Sequence, residues 1–204
     1  MVAILSVSRQ VMAVTWTEVD DAGELPGTAQ TTAGDGPLEF ISGVLESPTD
    51  VDMYAIFITG DGSFSATTVG WTADVDTQLT VFDSSGMGVY SNDDESADVL
   101  QSTLPAFQPL TPATPGIYYI AISDYDWDPV SDAGFIFPSH YPVFNLRTDV
   151  EGPTDVGGES PITGWDGEST TGGGSYTIAL TGAVSSASVA KPSIVPWLML
   201  LLDD

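Results

Sequence analysis

Aspartates alternate in one short segment of this sequence. Asp124, Asp126 and Asp128 have the spacing D-x-D-x-D, and carboxylates spaced in this way can surround a hard cation such as Ca²⁺. An EF-hand loop would continue with Gly at its sixth position and Glu at its twelfth. This sequence has Pro129 and Phe135 there. It therefore excludes an EF-hand and leaves a calcium site built from loops.

Strand direction decides whether other acids join this segment. Segment 78–82 alternates apolar and polar residues, and the turn at 83–86 predicts a hairpin with a returning strand at 88–91. Residues just before the first strand and just after the second then lie at the same end of the hairpin. These residues are Asp76, Asn92, Asp93 and Asp94.

A third strand brings the alternating aspartates to this end as well. Segment 117–123 is almost continuously apolar, and it runs parallel to 88–91 if segment 101–107 forms the strand between them. The candidate calcium ligands are then Asp76, Asn92, Asp93, Asp94, Asp124, Asp126 and Asp128. Magnesium is a poorer fit, because it keeps several waters and meets only one or two carboxylates. The alternative is that these residues simply form turns, since Asp accepts hydrogen bonds from nearby backbone amides.

The overall charge supports a bound cation. The chain has 29 acidic residues and only three basic ones, Arg9, Arg147 and Lys191, so its formal net charge is -26. Carboxylates that converge repel one another, and the protein has almost no cations of its own to neutralise them. The same imbalance excludes binding to nucleic acid and disfavours an anionic membrane surface.

The composition predicts a folded all-β protein. Hydrophobic residues make up 42% of the chain and aromatic residues 10%, which is inconsistent with an acidic disordered tail. Helical periodicity is nearly absent, whereas short β-rich segments separated by turn residues are frequent. We expect a single antiparallel β-sandwich, jelly-roll-like, over residues 16–183. Segment 128–175 is rich in Pro and Gly and should form long loops with few strands. There is no cysteine, so the fold contains no disulfide.

Both ends of the chain are apolar. Segment 1–15 could be the remnant of a signal peptide, a strand of the protein's own sheet, or a strand donated to a neighbouring copy. Segment 184–204 reads as a linker and a short apolar tail. Its apolar run is too short for a membrane span, which takes about 20 residues. Strand donation that does not close into a ring would build a filament.

Residues for catalysis are scarce. The only histidine is His140, and no Gly-x-Ser-x-Gly elbow is present. We therefore expect a protein that is not an enzyme. Aromatic residues on or near the loops could instead stack on sugar rings or pack in a core. They are Trp71, Tyr125, Trp127, Tyr141 and Trp165.

Several segments, in their order and spacing, resemble the bacterial prepeptidase C-terminal-like (PPC-like) β-sandwich, particularly its secreted form in proteins with a PEP-CTERM sorting tail. The segments are 16–30, 51–54, 64–67, 76–83, 88–94, 115–123, Trp165 and 180–182. The resemblance implies an extracellular, non-catalytic module that in some members binds calcium through loop acids. By position, the matching acids are Asp76 and the run Asn92, Asp93, Asp94. The tail differs from the family pattern because it lacks Pro-Glu-Pro and a basic end.

Two functions remain open from the sequence. The first is a secreted structural subunit, stabilised by calcium, that associates with itself into a filament or surface layer. The second is an extracellular module that binds polysaccharide through the loop aromatics.

Overall fold

The computed structural model of the chain describes residues 12–72, 75–138, 148–169 and 172–189. Strands dominate these residues, and the helix among them is the short α1 (Ser186–Val189). The all-β prediction is confirmed. The strands in chain order are β1 (Val14–Thr17), β2 (Gln30–Thr31), β3 (Leu38–Leu45), β4 (Val51–Ile58), β5 (Ser65–Thr67), β6 (Thr77–Asp83), β7 (Gly88–Asn92), β8 (Thr103–Leu104), β9 (Gly116–Asp124), β10 (Trp127–Ser131), β11 (Gly134–Phe135), β12 (Gly164–Gly167), β13 (Gly174–Thr181) and β14 (Ala183–Ser185).

The strands form two main sheets and one small sheet. Sheet A has the order β1-β3-β13-β5-β8, sheet B has the order β14-β4-β9-β6-β7 with β2 beside β4, and sheet C has the order β11-β10-β12. The long strands pair in the antiparallel manner that we predicted. The two parallel pairs are β1 with β3 and β2 with β4. Both involve the N-terminal segment, which adds one short strand to each main sheet before the long strands begin.

Sheets A and B face each other across the main hydrophobic core. Alternate residues of a strand point to opposite faces, and on β4 this places Tyr54, Ile56 and Ile58 in the core. Sheet A contributes Ile41 and Ile178, which are completely buried. Burying an apolar side chain of this size stabilises a fold by roughly 1.5–3 kcal/mol, so this core is the main source of stability.

The opposite face of sheet B is also covered. Met53 of β4 and Phe82 of β6 point away from the main core, and they pack against Ile136, Phe137 and Ile162. These three residues come from the Pro- and Gly-rich segment 128–175, which carries the strands of sheet C. Sheet B therefore lies between sheet A on one side and this segment on the other.

The described residues test the predictions for the two ends of the chain only in part. β1 begins at Val14 and pairs with β3 of the same chain, so the last residues of the apolar segment 1–15 belong to sheet A. At the other end, the start of the predicted linker and tail 184–204 is structured, because Val184 and Ser185 belong to β14, which pairs with β4, and residues 186–189 form α1. The remaining predictions for the two ends lie on residues 1–11 and 190–204, outside the described residues. Among the residues that the structure describes, no helix is long and apolar enough to cross a membrane.

Candidate metal centre

One end of the sandwich collects acidic side chains. In the antiparallel sheet B, β4 and β6 begin at the end where β9 and β7 finish, as the pairs Val51 with Ser123 and Thr77 with Asp124 show. We call this the acidic end. Its carboxylates on sheet B are Asp50, Asp52, Asp76, Asp93, Asp94 and Asp124.

Three of these acids form the group that we call the hairpin cluster: Asp76, Asp93 and Asp94. Each offers a carboxylate oxygen, and these oxygens all lie within 4.8 Å of one another. Calcium binds oxygens at about 2.3–2.6 Å, so oxygens on opposite sides of one ion are separated by roughly this distance. Asp93 and Asp94 are 1% and 2% exposed. The three carboxylates could therefore hold one metal ion.

Asp76 is the residue of the hairpin cluster with the clearest electrostatic conflict. Its Oδ1 atom is buried and has no hydrogen-bond partner. The pKa of Asp76 is raised to about 7, mainly because burial penalises the charged form and also because of the negative charges of Asp94 and Asp124. All lysines, arginines and the histidine lie outside the described ranges, so no basic side chain is found within them. A cation would relieve this conflict.

Asn92 supports the cluster through hydrogen bonds. Its Oδ1 accepts a hydrogen bond from the backbone amide of Thr103 at 2.7 Å, which joins the end of β7 to β8 in sheet A. Its Nδ2 donates to the backbone carbonyl oxygen of Asp94 at 3.1 Å. The side chain therefore positions Asp93 and Asp94, and the grouped carboxylates do not depend on it as a ligand.

Asp124 lies beside the hairpin cluster and joins the two main sheets. It is completely buried, and its side chain points to the same face of β9 as those of Ile120 and Ile122 in the main core. Its Oδ2 accepts hydrogen bonds from the amides of Gly172 and Gly173, at 3.1 and 3.2 Å, just before β13. Its charge reaches the hairpin cluster, but its oxygens also fix the start of a sheet A strand.

Asp126 and Asp128 have different surroundings. The connection between β9 and β10 is a turn of two residues, in which Asp126 has a left-handed backbone with φ 56°. Asp128 lies within β10, and its Oδ1 accepts a hydrogen bond from Gln78 Nε2 at 3.0 Å. Gln78 lies four residues before Phe82 on β6, so both side chains point to the face of sheet B that segment 128–175 covers. The D-x-D-x-D spacing thus places Asp124 and Asp128 on opposite faces of sheet B.

A second acidic group lies at the start of β4, and we call it the strand-start cluster: Asp21, Asp50 and Asp52. Their carboxylate oxygens also lie within 4.8 Å of one another. The amide of Met53 donates to the carbonyl oxygen of Gly23 at 3.1 Å, which holds the segment containing Asp21 against the first residues of β4.

Asp52 is the buried member of the strand-start cluster. It is completely buried, and its Oδ2 accepts a hydrogen bond from the hydroxyl of Tyr176 at 2.7 Å. The Tyr176 hydroxyl is also hydrogen-bonded to that of Tyr54. The other oxygen of Asp52, Oδ1, is buried without a hydrogen-bond partner. A carboxylate is therefore held at the edge of the main core with a hydrogen bond to only one of its two oxygens.

Burial also raises the proton affinity of this region. The pKa of Asp52 is raised to about 9, mainly because burial penalises the charged form, and the neighbouring Glu18 adds to the effect. The pKa of Glu46 is raised to about 7, first through a hydrogen bond with Asp50 and then through burial. Carboxyl groups at this corner either take up protons or share a cation.

The sequence contained a signal for this cluster that our interpretation did not use. Asp52 is two residues before Tyr54 and four before Ile56, so strand alternation places it on the core-facing side of β4. Asp50 also precedes β4 as Asp76 precedes β6. The contribution of Asp21 had no local signal, because it depends on the long-range contact between residues 21–23 and β4.

Comparison with protein-family models gives no match, and comparison with curated proteins gives none either. The resemblance to the PPC-like sandwich therefore stays a prediction from the sequence. What the structure establishes is an all-β, sandwich-like domain with two groups of carboxylates, at one end of its central sheet, that could each hold a metal ion.

Proposed function

We propose that this protein is a secreted structural β-sandwich, without catalytic activity, whose acidic end is stabilised by Ca²⁺. The observation that carries the proposal is the approach of the Asp76, Asp93 and Asp94 carboxylates to within 4.8 Å. Calcium accepts several carboxylate ligands in flexible geometry, whereas magnesium prefers to retain its waters. The chemistry of the donor set therefore favours calcium.

A cation in the hairpin cluster would join two strands of sheet B. Asp76 immediately precedes β6, and Asp93 and Asp94 immediately follow β7. Their mutual repulsion favours separation of the two ends, and a divalent cation reverses this effect. An ion that binds only the folded protein stabilises it in proportion to the logarithm of its concentration. In a chain without disulfides, such an ion would act as the cross-link.

Calcium titration by calorimetry tests this proposal. Protein freed of metal with EDTA and then dialysed should release or absorb heat on addition of Ca²⁺. The variant Asp76→Asn should lose the binding event of the hairpin cluster, because it removes one of three carboxylates. Asp166→Asn is the matched control, since Asp166 is exposed and belongs to neither cluster. Identical titrations for Asp76→Asn and the wild type would disprove the assignment of the site.

The second part of the proposal is that copies of the chain associate through an apolar terminal segment into a filament or surface layer. β1 is the last strand at one edge of sheet A among the described strands. Thr15 and Thr17 on β1 are exposed. An edge strand offers backbone groups to a further strand, and the apolar segment 1–15 leads directly into this edge.

Truncation tests the association. We expect the full chain to form large assemblies in static light scattering, and a variant lacking residues 1–11 to have the mass of a monomer. Removal of 192–204 tests the other end in the same way. If both truncated proteins kept the assembly size of the full chain, strand donation would be excluded, while the calcium proposal would be unaffected.

A further inference from the structure

The outer face of sheet A differs from the rest of this acidic protein. Residues of β3, β5, β8 and β13 that alternate with the core residues point outward, and they include six hydroxyl side chains. These form three hydrogen-bonded pairs across neighbouring strands: Ser42 with Thr177 at 3.0 Å, Ser65 with Thr181 at 2.8 Å, and Thr67 with Thr103 at 2.7 Å. We call these six residues the hydroxyl face. Each of them is exposed or half-buried.

An aromatic platform adjoins the hydroxyl face. Trp71 is 55% exposed, and its ring lies 4.8 Å from that of Phe40, measured between centroids. Phe40 is on β3 and pairs with Ala179 of β13, so the platform lies over the same outward side of the sheet. An exposed tryptophan offers a large flat apolar surface at its ring faces and a polar N–H at its edge.

A depression runs into this platform. It has a volume of about 390 Å³, and its lining includes Phe40, Ala179, Thr181 and the acidic Glu39. Small-ligand sites typically have volumes of ~300–1,000 Å³ and combine apolar walls with a few polar groups. The depression has both features, since an aromatic ring and a hydroxyl group border it.

We propose that the outer face of sheet A binds a neutral polysaccharide. Sugar rings have apolar C–H faces that pack on aromatic rings, and their hydroxyl groups exchange hydrogen bonds with Ser and Thr hydroxyls. The chain has a net charge of -26, so acidic polymers are repelled, whereas the six residues of the hydroxyl face carry no charge. The proposal is independent of calcium and goes beyond the structural role proposed above.

A second copy of the chain fits this face less well. Interfaces between identical subunits have apolar centres, and the centre of this face is made of hydroxyl pairs. The outer face of sheet B is different. Its residues Met53 and Phe82, which point away from the main core, are apolar, and other residues of the same chain cover them.

Two of the aromatic residues that the sequence suggested for sugar binding instead pack within the protein. The Trp165 ring packs edge-on against Phe82, 6.3 Å between centroids, and its Nε1 donates a hydrogen bond to the carbonyl oxygen of Glu24 at 2.9 Å. Trp127, the first residue of β10, is partly buried and packs against the hydrophobic cluster that contains Phe82. The exposed platform at Trp71 is therefore the better place for a sugar ring.

Binding of the full-length protein to defined polymers tests the proposal. The probes are insoluble cellulose, chitin and mannan, together with the acidic polymer alginate as a charge control. We expect binding to at least one neutral polymer and none to alginate. The variant Trp71→Ala should weaken binding at least ten-fold. Thr181→Glu, which places a charge on the hydroxyl face, should also weaken it.

Phe107→Ala is the matched control, because Phe107 is 76% exposed and follows β8 outside the hydroxyl face. It should bind as the wild type does. Circular dichroism melts of each variant show whether it is folded. Failure to bind any of the neutral polymers, or equal binding by folded Trp71→Ala and the wild type, would overturn the proposal. So would a change in assembly mass for Trp71→Ala without any polymer binding, since the face would then contact a second copy.

Discussion

The hairpin cluster and the strand-start cluster have similar chemistry but different origins. Both bring three aspartate oxygens within 4.8 Å, and both lie at the acidic end of sheet B. The hairpin cluster joins the two ends of one hairpin, β6 and β7. The strand-start cluster requires a residue far upstream, Asp21, to meet the start of β4.

Burial separates the two clusters further. In the hairpin cluster Asp93 and Asp94 are buried and Asp76 is half-buried, whereas in the strand-start cluster Asp52 is buried, Asp50 half-buried and Asp21 exposed. A buried carboxylate is costly unless it is paired or protonated. The hairpin thus places two buried carboxylates side by side, whereas tertiary packing adds a half-buried and an exposed carboxylate to the single buried Asp52.

Removal of divalent cations should have the largest effect. If each cluster binds Ca²⁺ at a concentration 100 times its Kd, each contributes about 2.7 kcal/mol, or about 5 kcal/mol together. The melting temperature should then fall by roughly 10–20 °C in EDTA. Differential scanning calorimetry with and without 1 mM free Ca²⁺ measures this. A melting temperature that EDTA leaves unchanged would contradict binding at both clusters.

Substitution of Asp52 should have the next largest effect. Asp52→Ala removes the acceptor of the buried Tyr176 hydroxyl, which we expect to cost about 1–3 kcal/mol with or without calcium. Asp52→Asn keeps an acceptor and removes the charge. In EDTA it should therefore melt no lower than the wild type, and with calcium it should melt lower. Urea unfolding measures both variants.

Asp93→Asn is the partner variant in the hairpin cluster. It should lower the calcium-dependent part of the stability while Tyr176 keeps its hydrogen bond. If Asp52→Asn and Asp93→Asn lost the same calorimetric binding event, the two clusters would form a single site and the comparison between them would fail.

The pH dependence of stability in EDTA should distinguish the clusters by range. Folding raises the pKa of Asp76 from 3.8 to about 7 and that of Asp52 from 3.8 to about 9. The folded state then binds more protons than the unfolded state above pH ~4, so stability falls as the pH rises. The fall due to Asp76 should end near pH 7, and that due to Asp52 should continue to about pH 9.

Melting curves at pH 5, 7 and 9 test these ranges. The variant Asp76→Asn should flatten the change between pH 5 and 7, and Asp52→Asn should also flatten the change between pH 7 and 9. Equal slopes in the wild type and both variants would show that neither carboxyl group gains a proton on folding.

The smallest effect is expected for Asp128→Asn. The substituted amide retains an oxygen that can accept the hydrogen bond from Gln78, and Asp128 belongs to neither cluster among the described residues. Calcium titration should therefore match that of the wild type. A loss of calcium binding in this variant would show that Asp128 is a ligand, as its D-x-D-x-D spacing suggested.

Part of the acidic end followed from local patterns. The hairpin 78–91 brought Asp76 close to Asp93 and Asp94 because a tight turn leaves little choice of register. The same reasoning did not separate Asp124 from Asp128. Their alternate spacing resembles a metal loop, but β10 begins after only two turn residues, and strand alternation then sends these side chains to opposite faces.

The exposure of the tryptophan rings also did not follow from local patterns in the sequence. Sequence patterns identified Trp71, Trp127 and Trp165 as aromatic residues near loops, without distinguishing exposed rings from packed ones. Ile136, Phe137 and Ile162 fold back over sheet B and bury Phe82, so the exposure of each ring depended on a contact between distant parts of the chain.

The sequence by itself determined the all-β class, the main strands and an excess of carboxylates that three basic residues cannot neutralise. These properties depend on composition and on alternation within single strands. Tertiary structure decided which carboxylates meet, because sheet order and register set the distances between strands that are far apart in the chain. It also decided that one outer face of the sandwich is covered and that the described residues leave the other uncovered, since only long-range packing places Ile136, Phe137 and Ile162 on sheet B.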